Sequence, residues 1–174
     1  IFCECDHVYF ITNKKGLKEL YNLMGTEKQK VKNVMILGAG RVGSKLSKDL
    51  SLEGLNIKLI EINEQKANDI AEELPNLMVL NVDGWNLDLL VEENLESMDA
   101  FIATSGDSET NIMSCMMAKS KKVKKTIALV ENMDYFNLSQ SIGIDSLINK
   151  KLLAAKDIFK FVRNGDIVEL AMLN

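Results

Sequence analysis

Residues 31–43 read Val-Lys-Asn-Val-Met-Ile-Leu-Gly-Ala-Gly-Arg-Val-Gly, an apolar strand running straight into a Gly-x-Gly-x-x-Gly turn. Gly38, Gly40 and Gly43 hold the three glycine positions of a dinucleotide fingerprint. These serve a tight turn, close backbone approach to a pyrophosphate, and close packing of helix on strand. The helix that follows begins with unpaired N–H groups and a positive dipole end, which favours an anion. Ala39, Arg41 and Val42 therefore belong to the candidate site, and Arg41 can reach a phosphate. A lone glycine fingerprint is weak evidence, so its context decides. That context is a second apolar strand, Asn56–Ile62, carrying Glu61 eighteen residues after Gly43. This is near the spacing of about 20 at which a carboxylate grips ribose hydroxyls. Ile62 and Asn63 lie beside it.

From Val31 onward, strands and helices alternate. After the first helix (Val42, Leu46 and Leu50 on one face) and the second strand comes a helix with Ala67, Ile70, Ala71 and Leu74 inward. It is closed by Pro75, the only proline. Leu77–Val82, Ala100–Thr104, Thr126–Val130 and Ser146–Ile148 read as further strands. Between them lie an amphipathic turn through Leu87, Leu90 and Val91, a helix over Asp107–Lys119 with Ile112, Met113 and Met116 inward, and a helix over Tyr135–Ile142. This order predicts an α/β fold, a doubly wound Rossmann-type parallel sheet of about six strands. Lys150–Arg163 follows as a helix with Leu152, Leu153, Ile158, Phe159 and Val162, then a strand over Asp166–Leu173. Ahead of the sheet, Cys5–Thr12 reads as a strand and Leu17–Met24 as a helix, with a polar linker over Thr26–Lys30.

Composition narrows the function. The 174 residues carry 21 basic and 25 acidic side chains, a net charge of −4, with no general attraction for nucleic acid or anionic lipid. Direct membrane insertion is not expected, since no apolar run approaches the roughly 18 residues of a span. The first residues lack the basic lead-in of a signal peptide. The chain starts in mid-pattern without Met, as expected for a piece of a longer protein. Cys3, Cys5 and Cys115 are too few for a disulfide framework and read as reduced thiols of a cytosolic protein. The nine methionines read as core packing. Lys119, Lys121, Lys122, Lys124 and Lys125 read as a solvated helix end.

Ligands of open parallel sheets bind beyond the carboxyl ends of the strands. There the sequence gathers the glycine turn, Glu61–Asn63, Asp83-Gly84-Trp85 and Thr104–Asp107. Asp83 and Gly84 fit an adenine or ribose contact, or simply a turn. Thr104 and Ser105 suit hydrogen bonds to phosphate or ribose, and Asp107 either joins them or caps the next helix. With no arginine beside Glu61 to offset repulsion of a 2′-phosphate, NAD(H) or an adenosine nucleotide is favoured over NADP(H). The only histidine, His7, precedes the nucleotide fold, and no nucleophile–base or metal-ligand constellation is visible. The nucleotide reads as a signal rather than a reagent. The alternative is an NAD-dependent oxidoreductase lacking its substrate domain.

These motifs resemble the RCK or KTN (TrkA-N) regulatory domains of potassium channels and transporters, and most of all the peripheral NAD-binding subunit of Trk-type uptake systems. The resemblance rests on the glycine turn with Arg41, on Glu61, on Asp83, and on the run Ala-Thr-Ser-Gly-Asp-Ser-Glu-Thr-Asn over 103–111. It implies a non-catalytic domain binding NAD(H), or ADP/ATP as alternatives, and gating a membrane-embedded Trk-type potassium transporter subunit. It also implies a cytoplasmic location, peripheral at the inner membrane, and a homodimer or larger ring. By the same resemblance, residues 1–30 are the tail of a preceding small domain plus linker. Residues 31–148 are then the nucleotide domain, and 149–174 the crossover helix leading to a following small domain. Two departures stand out. Ala128-Leu129-Val130 lacks the basic residue that often ends the fifth strand, which favours NAD(H) over a triphosphate. Asn81-Val82-Asp83-Gly84 replaces the usual glycine-aspartate-alanine.

Overall fold

β1 (Asn33–Leu37) forms the centre of a six-stranded sheet, because its alternate residues are apolar on both faces and Val34 to Ile36 are all essentially inaccessible. It pairs in parallel with β2 (Asn56–Ile60) on one side and β4 (Ala100–Ala103) on the other. β3 (Met78–Leu80) flanks β2, while β5 (Lys125–Val130) and β6 (Ser146–Asn149) extend the far side. The strand order is 3-2-1-4-5-6 and all pairings are parallel, so the expected doubly wound Rossmann-type fold is borne out. The order reverses between β1 and β4, which opens a crevice at their carboxyl ends.

The computed structural model describes residues 31–132 and 143–163, with isolated positions 13, 16, 19, 20 and 135; the side chains of 160, 161 and 163 are not described. The strands expected at 5–12 and 166–173 lie outside the described residues, as do most of the helices expected at 17–24 and 135–142. Ile1–Lys30 and Val31–Asn174 form separate units, and the sheet belongs to the second.

The helices whose full ranges are described are α1 (Arg41–Leu52), α2 (Glu64–Glu73), α3 (Leu87–Glu92), α4 (Ser108–Ser120) and α5 (Lys150–Arg163), with a short 3-10 turn at Leu95–Ser97. Asn63, Asn86 and Asp107 cap α2, α3 and α4, each accepting from a backbone N–H three residues on. One core layer unites Met35, Phe101, Leu90, Leu95, Ile112, Cys115 and Val130; the other unites Val34, Ile36, Leu59, Ile57 and Ile70. Each fully buried side chain of this size contributes about 1.5–3 kcal/mol.

Three helix faces differ from the sequence expectation. Val42 is 42% exposed, and α1 instead buries Gly43 and Ser47, with Leu46 and Leu50 half-buried. The close approach at Gly43 sets the helix rotation and carries Val42 outward. Met113 is likewise exposed, because α4 turns Ile112, Cys115 and Ala118 to the sheet alongside the polar Asn111 and Ser114. Ala71 is exposed on α2, leaving Ala67 and Ile70 to pack.

The lysine cluster lies at the sheet edge opposite the glycine turn. Lys119 pairs with Asp145, Lys121 with Glu96 and Lys124 with Asp99, as a solvated helix end would. Burial disfavours the charged form of Asp145, yet hydrogen bonds from Lys119 and Thr126 and the charge of Lys119 hold its pKa below the ordinary value. Cys115 is free and buried, and desolvation pushes its thiol up to about 12, so it is unreactive.

At the carboxyl edge, the β6–α5 junction is tied to the end of β5. Asn149 accepts from the N–H groups of Lys151 and Leu152 and donates to the Glu131 carbonyl. Lys150 pairs with the Glu131 carboxylate, and the Glu131 N–H donates to Ser108 Oγ in the first turn of α4.

Candidate functional site

The glycine turn is closed from three directions. Gly38 N–H donates to the Ile60 carbonyl at 2.8 Å. Thr104 N–H donates to the Leu37 carbonyl at 2.8 Å, and the Thr104 hydroxyl lies within 3.0–3.1 Å of the Gly38 and Leu37 carbonyls. Gly38 has φ of +94°, where a side chain is strained, and a Cβ there would meet the Ser105 backbone nitrogen at 2.7 Å. α1 starts at Gly40, which offers no capping side chain, and its first intrahelical bond runs from Ser44 N to Gly40 O. The N–H groups of Arg41, Val42 and Gly43 thus open the helix at its positive end. A Cβ added to Gly40 would meet nothing within 4 Å, so the space above the turn is open.

Glu61 lies just beyond β2 and is 8% exposed. Its two oxygens accept from the N–H groups of Ala39 and Asn63, each at 2.9 Å. The carboxylate therefore braces the glycine turn against the tail of β2, a role the sequence spacing does not reveal. Each oxygen keeps acceptor capacity for a further donor such as a ribose hydroxyl. Asn81 holds the same tail by donating to the Glu61 and Ile62 carbonyls. β3 runs over Met78–Leu80, shorter at both ends than the Leu77–Val82 expected from sequence.

These elements enclose a cleft of about 550 Å³ at the switch point, within the usual range of ligand sites. Of the residues singled out from sequence, Gly38, Gly40, Glu61, Ile62, Asp83, Gly84, Thr104, Ser105 and Asp107 line it. Ala39, Arg41, Val42, Gly43 and Asn63 do not: Ala39 and Gly43 form the turn, and Asn63 caps α2. Arg41 and Val42 point outward, leaving only their N–H groups at the helix start.

Two side chains in the β4–α4 loop have other duties as well. Besides the Thr104 hydroxyl, which serves the turn, Ser105 is held by Asn111: the Ser105 N–H and hydroxyl both donate to Asn111 Oδ1. Asn111 is 1% exposed and in turn donates to the Ser105 and Leu129 carbonyls, fastening the loop to β5. Asp107 caps α4 through Thr110 N–H at 2.7 Å. The Thr110 hydroxyl and N–H together hold the Asp107 carboxyl below its ordinary pKa.

Trp85 and Gly106, in the loops the sequence gathers at this edge but with no role assigned to them, also line the cleft, as do Lys66 and Thr110, which the sequence reading left out of the site. Lys66 stands one turn into α2, a position with no motif of its own. Trp85 follows the Asp83-Gly84 signal directly. Its indole N–H donates to Thr110 Oγ1 at 3.2 Å, a pairing across 25 positions that spacing could not suggest. Among the described residues, no group of three or more His, Cys, Asp or Glu could hold a metal.

Strand order, glycine turn and switch-point cleft define a Rossmann-type domain of the nucleotide-binding class. The TrkA-N domain model matches residues 34–150, and the chain belongs to that family. It is 34% identical over 168 residues to the Trk system potassium uptake protein TrkA of Vibrio alginolyticus, covering 97% of this chain and 36% of that protein. The chain thus spans about a third of the length of the relatives it matches. Among solved structures, the TrkA-N domain of the inner membrane protein ybaL from Escherichia coli has a TM-score of 0.69 at 17% identity, covering 77% of this chain and 98% of that one. The GsuK channel bound to NAD has a TM-score of 0.60 at 16% identity, covering 70% of this chain and 22% of that one. At such identities the likeness shows the fold.

Proposed function

We propose that this domain binds NAD(H), with ADP or ATP as alternatives, and that binding regulates a potassium-uptake transporter subunit in the membrane without chemical turnover. The observation that carries this reading is the open, uncapped start of α1 at Gly40, facing a cleft braced by the buried Glu61 carboxylate. The pyrophosphate of a dinucleotide would sit on the N–H groups of Arg41, Val42 and Gly43, and the adenosine ribose on Glu61. The related potassium-uptake proteins and the NAD-bound channel support both ligand and role.

No helix among the described residues is long and apolar enough to cross a membrane; engagement of the transporter from its cytoplasmic face is part of the proposal. The division of labour among residues 1–30, 31–148 and 149–174 is part of the same proposal. Saturating NADH, near 100 times its Kd, should stabilise the chain by about 2.7 kcal/mol, a rise of roughly 5–10 °C in Tm. Glu61→Ala should abolish most of that rise while also lowering the unliganded Tm, since Ala39 N–H loses its acceptor. No shift with any adenine nucleotide in differential scanning calorimetry would remove the proposal.

NADP(H) should bind at least about tenfold more weakly than NAD(H), or 1.4 kcal/mol. Lys66 lines the same cleft but is solvated and screened, whereas Glu61 is buried, so the 2′-phosphate still meets a net repulsion. Equal affinities by calorimetry would place the 2′ position away from Glu61.

Pairing of two copies, with a larger ring in a longer protein, is the proposed assembly. Ile158 and Val162, four residues apart on one face of α5, are 65% and 79% exposed, apolar surface of the kind that marks an interface. Ile158→Asp should convert a dimer into a folded monomer in light scattering. A wild-type chain that is already monomeric at roughly 100 µM, where even a micromolar dimer would persist, would sink this assembly.

A further inference from the structure

Ile62 and Trp85 are the two large apolar side chains that stand exposed at the rim of the cleft, at 66% and 47%. They follow adjacent strands, β2 and β3, and line the same cleft as Glu61. Trp85 is fixed at both ends. Its backbone N–H donates to Asp83 Oδ1 at 2.9 Å, and its indole N–H donates to Thr110 Oγ1. The polar edge of the ring is thereby satisfied while half of its surface stays open. An indole contributes a large flat area at little entropic cost once its rotamer is held.

We propose that Trp85, pinned by Thr110 and working with Ile62, is an adenine platform: the base attached to the ribose at Glu61 stacks on the indole. This rests on the reading of the cleft as a nucleotide site. The ribose held by the carboxylate after the second strand of this fold is the adenosine one, and its base extends toward the tails of β2 and β3. A π-face suits that base, since base–aromatic stacking is a general source of nucleotide affinity. Trp85 thereby sets the strength of binding to the adenine half, while the α1 N-terminus sets that to the phosphates. The two contributions separate by ligand.

The chain contains a single tryptophan, so its emission reports this position alone. ADP and NAD should quench that emission on titration into the 174-residue chain, and nicotinamide mononucleotide should not. By calorimetry, Trp85→Leu should weaken ADP about tenfold. Trp85→Phe, which keeps the π-face, and Thr110→Val, which unpins the indole and also takes a hydroxyl from Asp107, should each cost about threefold. Inorganic pyrophosphate, the probe of the phosphate site, should bind all four proteins equally. Unchanged ADP affinity in Trp85→Leu overturns the platform while leaving the nucleotide site standing. A parallel loss of pyrophosphate affinity shows a structural role and also overturns it. A wild-type chain that binds none of these ligands overturns both.

Discussion

Gly43→Ala should cost more than about 4 kcal/mol, placing it among the most damaging single substitutions. The added Cβ would sit 1.8 Å from the Gly38 carbonyl oxygen and 2.7 Å from Thr104 Oγ1. The oxygen is backbone and already receives the Thr104 hydroxyl, so it cannot yield without moving β1 or the β4–α4 loop. α1 would have to lift from the sheet, exposing Ser47 and the apolar layer around Val34 and Ile36. Thermal unfolding should show a fall in Tm of at least roughly 8 °C, or no cooperative transition. Gly106→Ala is the control: nothing lies within 4 Å of the added atom, and its effect should stay within about 0.5 kcal/mol. Equal effects of the two substitutions would show that α1 does not pack through Gly43.

Gly40→Val should do the reverse, leaving the fold nearly intact and eliminating binding. Gly40 has φ of −68° and ψ of −177°, extended backbone that valine adopts readily. The chief structural cost is a poorer helix start, up to about 1 kcal/mol. The isopropyl group, however, would occupy the open space in which a pyrophosphate must approach the N–H groups of α1. NADH affinity should fall more than about a hundredfold, or 2.7 kcal/mol. Retention of affinity within threefold in calorimetry would move the phosphates away from this turn. The pair of glycine substitutions separates fold from function within four residues.

The strands, the glycine turn and the switch-point location were legible because each is written in local sequence. β1 is a short apolar run, the glycines follow at fixed spacing, and the strand–helix alternation dictates a parallel sheet. Helix rotation was less legible. Hydrophobicity placed Val42 and Met113 inward, but the depth of contact at Gly43 and the buried amide of Asn111 set the rotation instead. The bracing role of Glu61 was hidden for a related reason. A carboxylate after β2 satisfies the fingerprint whether its oxygens face a ribose, the Ala39 N–H or both. Trp85 and Thr110 meet only because α3 carries the chain across the sheet, so their partnership exists in space and not in sequence. Polar groups such as Asn111 and Asn149 look like surface residues until the remote carbonyls they satisfy are known.

The junction at Asn149 and Glu131 makes α5 a lever with its fulcrum beside the cleft. Its root is bolted to the end of β5, and that end is bolted through Ser108 to the first turn of α4, immediately after the loop that lines the cleft. Fourteen residues of helix give an arm of about 21 Å. On an arm of that length, a tilt of about 10° at the root carries the tip almost 4 Å, a full side-chain width. A displacement too small to register in the cleft is thus large at Val162.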